Sequence, residues 1–436
     1  MSTLEPVQKL SFIPALRGSW ALLVGICLLM LGNGLQGTLL GIRADIEGFG
    51  SVLTGLVMAA FFAGFLVGAV WTPQAVGQVG HIRVFAALAA LASAAILVHG
   101  VLVDPWIWGG LRFVTGVCFA GIFVVAESWL NVRVDNAGRG HMLAVYMLTT
   151  FGGMGGGQLL LNTASPRETD LFILVSVLIS VAVLPILLTA VPAPVPGPVR
   201  SVSLGRLWGA SPLGVAGTFA AGIVNGAAFG MGAVYAQRMG FSLLEVSLFM
   251  MALIAGAALC QWPIGRLSDV FDRRVVITGI TLSAAGLALG LGLLSTAGAR
   301  LDFGAFVAIV VAFGGISLSL HSLSLAYTND YLEPTEMVGA SSGLVLILGM
   351  GSLVGPLAAG LALSVLGPWG FFALLGLVHL AVGGFALWRM TQRASPPSED
   401  QGPYIALPAN ASAVATTAAE KLHAEELVAG SASDGA

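Results

Sequence analysis

The sequence predicts an all-α integral membrane protein, with twelve transmembrane helices in two six-helix bundles related by a pseudo-two-fold axis. Three observations carry that expectation: composition, twelve apolar runs, and an internal repeat. The 436 residues are 57% hydrophobic and only 9% charged, where a soluble domain carries about 25% charge. Mean hydropathy is +0.94. This excludes a soluble enzyme and, for the bulk of the chain, disorder, because so much apolar surface does not stay solvated. The 59 glycines follow no collagen period and suit helices whose backbones approach closely in a bilayer.

A bilayer core of about 30 Å takes about 20 apolar residues per helix. Such runs lie near 20–42, 51–72, 83–103, 106–130, 139–161, 170–190, 213–236, 244–264, 275–296, 303–328, 338–365 and 369–389. Residues 1–19 precede them as a cytoplasmic N-terminus. The first six form an N-terminal bundle over 20–190, and the last six a C-terminal bundle over 213–390. Between them, 191–212 carries Pro192, Pro194, Pro196, Pro198 and Pro212, which favour an extended cytoplasmic linker. Residues 391–436 are polar and rich in Ala, Ser and Pro, and read as a disordered, dispensable cytoplasmic tail. With the N-terminus inside, 12 Lys and Arg fall on the cytoplasmic side and 4 outside. That bias puts both termini in the cytoplasm of a multi-pass protein, consistent with a bacterial inner membrane.

The repeat joins the halves. Asn33-Gly34 precedes Gly48-Phe49 by 15 residues, and Asn225-Gly226 precedes Gly240-Phe241 by the same 15, an offset of 192. Gly64 then matches Gly256. Further on, Gly140, Gly152 and Gly156 align with Gly339, Gly351 and Gly355 at an offset of 199, with the extra residues expected around Arg300 to Asp302. A parallel repeat of this kind places a substrate site near the midplane between the halves.

The loop between the eighth and ninth runs reads Gly265-Arg266-Leu267-Ser268-Asp269-Val270-Phe271-Asp272-Arg273-Arg274. It resembles the loop signature of the major facilitator superfamily, with Val270 where arginine is usual and Asp272 where glycine is usual. The matching loop from Pro73 to Arg83 is degenerate, keeping Gly80 but holding Gly77 at the acidic position. Arg112-x-x-x-Gly116 is similar to the superfamily's fourth-helix pattern. Glu127-Ser128-Trp129-Leu130 with Arg139-Gly140, and Asn329-Asp330 followed by Gly355-Pro356, resemble the YcaD-like branch. The resemblance covers about 20–390 and implies the major facilitator fold, with the first, fourth, seventh and tenth helices lining a solute cavity. A fifth-helix glycine-proline pattern, frequent in the superfamily's antiporters, is absent, which argues against drug antiport.

Ionisable groups inside spans are costly and therefore functional candidates. Arg112 stands about 8 Å into the fourth span from its outer end, either anchoring substrate or bonding neighbouring carbonyls. Glu127, about 22 Å further along that helix, is either a proton carrier or a gate contact to Arg83 or Arg139. In the tenth span Ser317, His321, Ser324 and Thr328 share one face through steps of 4, 3 and 4. His321 titrates near neutral pH and joins Glu127 as a proton-coupling candidate. His379 lacks such a stripe and reads as peripheral, and His99 as near the outer interface. Asn33 and Gln36 in the first span, with Asn225 in the seventh, suit hydroxyl-rich or zwitterionic solutes, although Asn-Gly also permits close packing. The substrate-cavity candidates are thus Asn33, Gln36, Arg112, Asn225, Ser317, His321 and Ser324. Asp269, Arg273 and Arg274 form the candidate gating loop.

The expected function is secondary active transport of a small solute by alternating access, coupled to protons, in a monomer. An uncoupled facilitator and a non-transporting receptor or sensor on the same fold stay open. No phosphate-binding loop, H-E-x-x-H or G-x-S-x-G is present, so ATP-driven transport and the commonest intramembrane hydrolases have no support. A net charge of −3 implies no nucleic-acid partner. Cys27, Cys118 and Cys260 sit in apolar runs without C-x-x-C, so no metal, disulfide framework or other cofactor is expected.

Overall fold

The computed structural model describes residues 12–133, 136–187, 202–296, 302–392, 401–402 and 404. These residues are helical almost throughout. The helices are α1 (Phe12–Ile46), α2 (Ser51–Val79), α3 (His81–Val101), α4 (Pro105–Arg133), α5 (Asn136–Leu160), α6 (Asp170–Leu187), α7 (Leu204–Ala210), α8 (Pro212–Arg238), α9 (Leu243–Val270), α10 (Arg273–Thr296), α11 (Phe303–Leu318), α12 (Leu320–Asn329), α13 (Pro334–Leu366) and α14 (Trp369–Gln392). α11 and α12 continue one rod across a break at Ser319, so six rods precede the short α7 and six follow it. Among the described residues ten rods are long and apolar enough to cross a membrane. The other two are α5, glycine-rich in its second half, and α6, whose apolar part spans Asp170–Pro185.

The sequence repeat has a structural cause at the end of each half's first helix. Gly48 and Gly240 both adopt positive φ, 76° and 79°. Each stops its helix with the same pair of backbone bonds. Gly48 N donates to the Asp45 carbonyl and Phe49 N to the Ala44 carbonyl; Gly240 N donates to Gln237 and Phe241 N to Ala236. This is the glycine-terminated cap in which one residue enters the left-handed region that only glycine occupies cheaply.

Helix pairing repeats as well. In the first half α1 packs on α5, α2 on α4 and α3 on α6; in the second, α8 packs on α13, α9 on α11 and α10 on α14. Glycines set these approaches. A Cβ at Gly34 would collide with the backbone of Met154, and one at Gly226 with the backbone of Ser352. Gly64 meets Phe113 and Gly256 meets Val311 in the same way. The late offset is therefore 198, not 199. Gly153 and Gly157 touch α1 as Gly351 and Gly355 touch α8; Gly152 and Gly156 are not the mates. The glycine run offers several registers to the sequence, and only backbone contact selects one.

Two further expectations change. Part of the stretch expected to be an extended linker is helical: Ser203 accepts from Arg206 N and starts α7. The chain carries no proline between Pro198 and Pro212, so nothing there breaks a helical turn. Of the tail, Gly402 and Tyr404 are placed against the second half.

The halves meet mainly at the end remote from α7. There α2 lies on α13, α5 on α9 and α1 on α8. Gly55 backs onto the Pro356 carbonyl and Gly360 onto that of Ser51. Asn162 Nδ2 donates to Ser247 Oγ at 2.9 Å, and Arg238 pairs with Asp45 at 3.0 Å. At the α7 end, Leu143 of α5 packs against a cluster from the second half that includes Leu325 and Leu344.

Candidate solute site between the halves

α1 and α8 are the first helices of the two halves and face each other across the seam. Gly37 approaches the Phe229 carbonyl, and Gly41 packs on Val234. Gln36 precedes Gly37, and Asn225 stands one turn before Phe229. Gln36 is 0% exposed and Asn225 4%. Both atoms of each carboxamide lack a hydrogen-bond partner. Buried polar atoms are almost always paired, so two open amides on the first helices of opposite halves are exceptional. Asn33 is only half-buried. Beside them, Thr38 donates to Gln158 at 2.6 Å, and Gln158 donates to the Gly34 carbonyl at 3.0 Å. That bridge holds α1 on α5 and fixes the face from which Gln36 projects.

Arg112 sits elsewhere, inside the first half. Its guanidinium lies 4.4 Å from the centre of the Phe61 ring, its Nε is unpaired, and among the described residues it forms no ion pair. Phe61 therefore supplies the cation's visible support. His99, in the last turn of α3, is fully buried within the protein: Nδ1 meets the Ala95 carbonyl at 2.8 Å and the ring packs edge-on against Trp108.

Glu127 is 2% exposed and accepts a 2.7 Å hydrogen bond from the Tyr146 hydroxyl of α5. Tyr146 had no sequence signal, because the pairing depends on how the α4–α5 hairpin closes. Of the two basic partners expected for Glu127, Arg83 is exposed and the Arg139 side chain lies outside the described residues. Next to Glu127, Trp129 stacks on His81 with centres 6.3 Å apart.

The tenth-span stripe divides. Ser317 Oγ and His379 Nε2 are 2.9 Å apart, and His379 Nδ1 meets the Leu375 carbonyl at 2.7 Å. His379 is thus a buried tie between α11 and α14, not a peripheral group. Ser324 and Thr328 press on Gly217 and Gly214 of α8, and Thr328 bonds back to the Ser324 carbonyl. His321, 2% exposed, keeps Nδ1 unpaired and adjoins the helix break at Ser319. The stripe's single face was legible; that α8 and α14 take most of it was not.

The loop candidates form one ionic knot. Arg273, 1% exposed, donates to the Asp330 carboxylate, to the Ala326 carbonyl at 3.0 Å and to the Gly402 carbonyl, and lies 3.5 Å from Asp269. Arg274 pairs instead with Asp272 at 2.7 Å. Burial pushes the Asp330 carboxyl up to about 6, against the pull of Arg273. Among the described residues no group of His, Cys, Asp and Glu could hold a metal ion.

The Major Facilitator Superfamily model matches residues 214–419. The MFS-type transporter YcaD of Escherichia fergusonii is 29% identical over 337 residues, covering 77% of this chain and 86% of that protein. YcaD of Salmonella typhi is 28% identical over the same length. The chain is thus similar to members of the Major Facilitator Superfamily, in its second half by the family model and over most of its length by these relatives. Solved structures share the fold of this chain. Nucleoside transporter NupG superposes with a TM-score of 0.68 at 11% identity, covering 85% of this chain and 99% of that one. A bacterial homologue of the human lysosomal transporter Spinster, inward-facing and unoccupied, gives 0.66 at 14%, covering 95% and 99%. The Escherichia coli fucose:proton symporter FucP gives 0.54 at 16%, covering 87% and 99%.

Proposed function

We propose that this protein carries a small, uncharged, hydrogen-bonding solute by alternating access, with Gln36 and Asn225 as its central ligands. The observation that carries the reading is the pair of buried, unpaired carboxamides on helices from opposite halves. Leaving such a group without a partner costs roughly 1–3 kcal/mol, and a solute with donors and acceptors relieves that cost. An uncharged solute is supported by the lack of Asp, Glu, Lys and Arg in α1 over 18–42, α8 over 212–237, α2, α5 over 141–160, α9 over 246–265 and α13 over 337–366, while the charged groups of α4 meet Phe61 (Arg112) and Tyr146 (Glu127) within the first half. Rocking of the units 20–190 and 213–390 exchanges the contacts remote from α7 for contacts at the α7 end. The 12 to 4 bias of basic residues supports an orientation with the α7 end, and both termini, in the cytoplasm of a bacterial inner membrane. Glu127, buried against Tyr146, is the proton carrier, and the monomer is the working unit.

Uptake into proteoliposomes under an imposed pH gradient tests this. Sugars, nucleosides and neutral amino acids are compared with organic acids and lipophilic cations. A neutral solute should accumulate, and Gln36→Ala and Asn225→Ala should each cut its uptake at least about tenfold, a loss of about 1.4 kcal/mol. Glu127→Gln should abolish accumulation against a gradient while sparing exchange of solute across the membrane. Uptake confined to charged compounds, or unchanged in the double alanine variant, would remove the seam site.

A further inference from the structure

At the α7 end of the second half, a stretch of the tail fits a surface that the bundle has prepared. Gly402 uses both of its backbone groups: its carbonyl accepts from Arg273 and its N–H donates to Asp330 at 3.3 Å. Tyr404 N donates to Asp269 at 2.9 Å. These three side chains come from the end of α9, the start of α10 and the end of α12. The Tyr404 ring covers Gly265, where a Cβ would strike it, and packs on the apolar cluster that includes Ile264, Ile277, Leu320 and Tyr327. Burial pushes the Tyr404 hydroxyl well above the usual phenol range. A buried arginine that spends hydrogen bonds on a tail carbonyl, and a glycine that clears room for a tail ring, are features of a docking site.

We infer that this face of the second half is a docking site for the chain's own C-terminal segment, which straps the α9–α10 loop to the end of α12. The strap completes the coordination of Arg273. Without it, one guanidinium nitrogen loses an acceptor and Asp269 loses the Tyr404 N–H, so the loop carrying the superfamily's signature is freer to move. The tail is then a restraint on the α7 end, and not the inert appendage its composition suggests.

Hydrogen exchange of the full-length protein in lipid nanodiscs, with no solute present, tests the strap independently of the transport reading. Tyr404→Ala and Gly265→Ala should each speed exchange at least threefold in peptides covering 265–272 and 326–332. Truncation after Gln392 should do the same. Tyr404→Phe, which keeps the ring, should retain wild-type protection, and peptides from α2 to α4 should not change in any variant. Unchanged protection of 265–272 and 326–332 in Tyr404→Ala overturns the strap. So does exchange that rises evenly over the whole molecule.

Discussion

At the residue scale the unpaired amides carry a testable conflict between stability and function. Gln36→Leu and Asn225→Leu remove desolvated polar atoms and fill the same space with apolar ones, which is neutral or stabilising where the original group had no partner. Each variant should melt at or above the wild-type temperature in detergent and should lose solute binding. A melting temperature several degrees lower with binding intact would show that the amides are ordinary core contacts. Asp330 gives a second residue-scale prediction, about pH. Its carboxyl holds a proton up to about pH 6 in the folded protein, against an ordinary 3.8. A carboxylate whose folded pKa is raised lowers stability above that pKa, and the cost fades as pH falls from 6 toward 4. Asp330→Asn mimics the protonated form, so the melting temperature of the variant minus that of wild type should be larger at pH 7.5 than at pH 5. A difference that does not vary with pH contradicts the assignment.

Among the elements, the glycines decide which helices can touch. Gly256 presses on the backbone of Val311 and Gly64 on that of Phe113, so Gly256→Leu should separate α9 from α11 and sharply reduce the yield of folded protein. The same change at Gly279, which has open space around its Cβ position, should be tolerated. Size-exclusion recovery of the two variants compares them directly; equal recovery would mean that the close approach is not needed. The twelve rods and the matched caps at Gly48 and Gly240 were legible because apolar length and left-handed glycine both leave marks in sequence. The register of the second repeat was not, since Gly152 and Gly156 look the same as Gly153 and Gly157 until a backbone lies against them. Site residues were legible by type and less so by partner. Gln36 and Asn225 keep unpaired amides, whereas Ser317 and Glu127 found partners in His379 and Tyr146 and Ser324 packs on α8, arrangements that follow from packing between distant segments.

For the whole molecule the account rests on motion between the halves. The polar contacts remote from α7, among them Asn162 with Ser247 and Arg238 with Asp45, are partly exposed, which suits a closure that must reopen. Exposed pairs of this kind contribute about 0–1 kcal/mol each, so the glycine-lined approach of α2 to α13 supplies most of the holding. The most direct test is a distance measured across this end in liposomes. Spin labels are placed at Thr163→Cys and Leu244→Cys, both exposed beside the Asn162–Ser247 bond, in a background lacking Cys27, Cys118 and Cys260. The account predicts two populations: a short one matching the closed contact, and a longer one whose share changes with added neutral solute. A single short distance under every solute and pH condition would contradict alternating access.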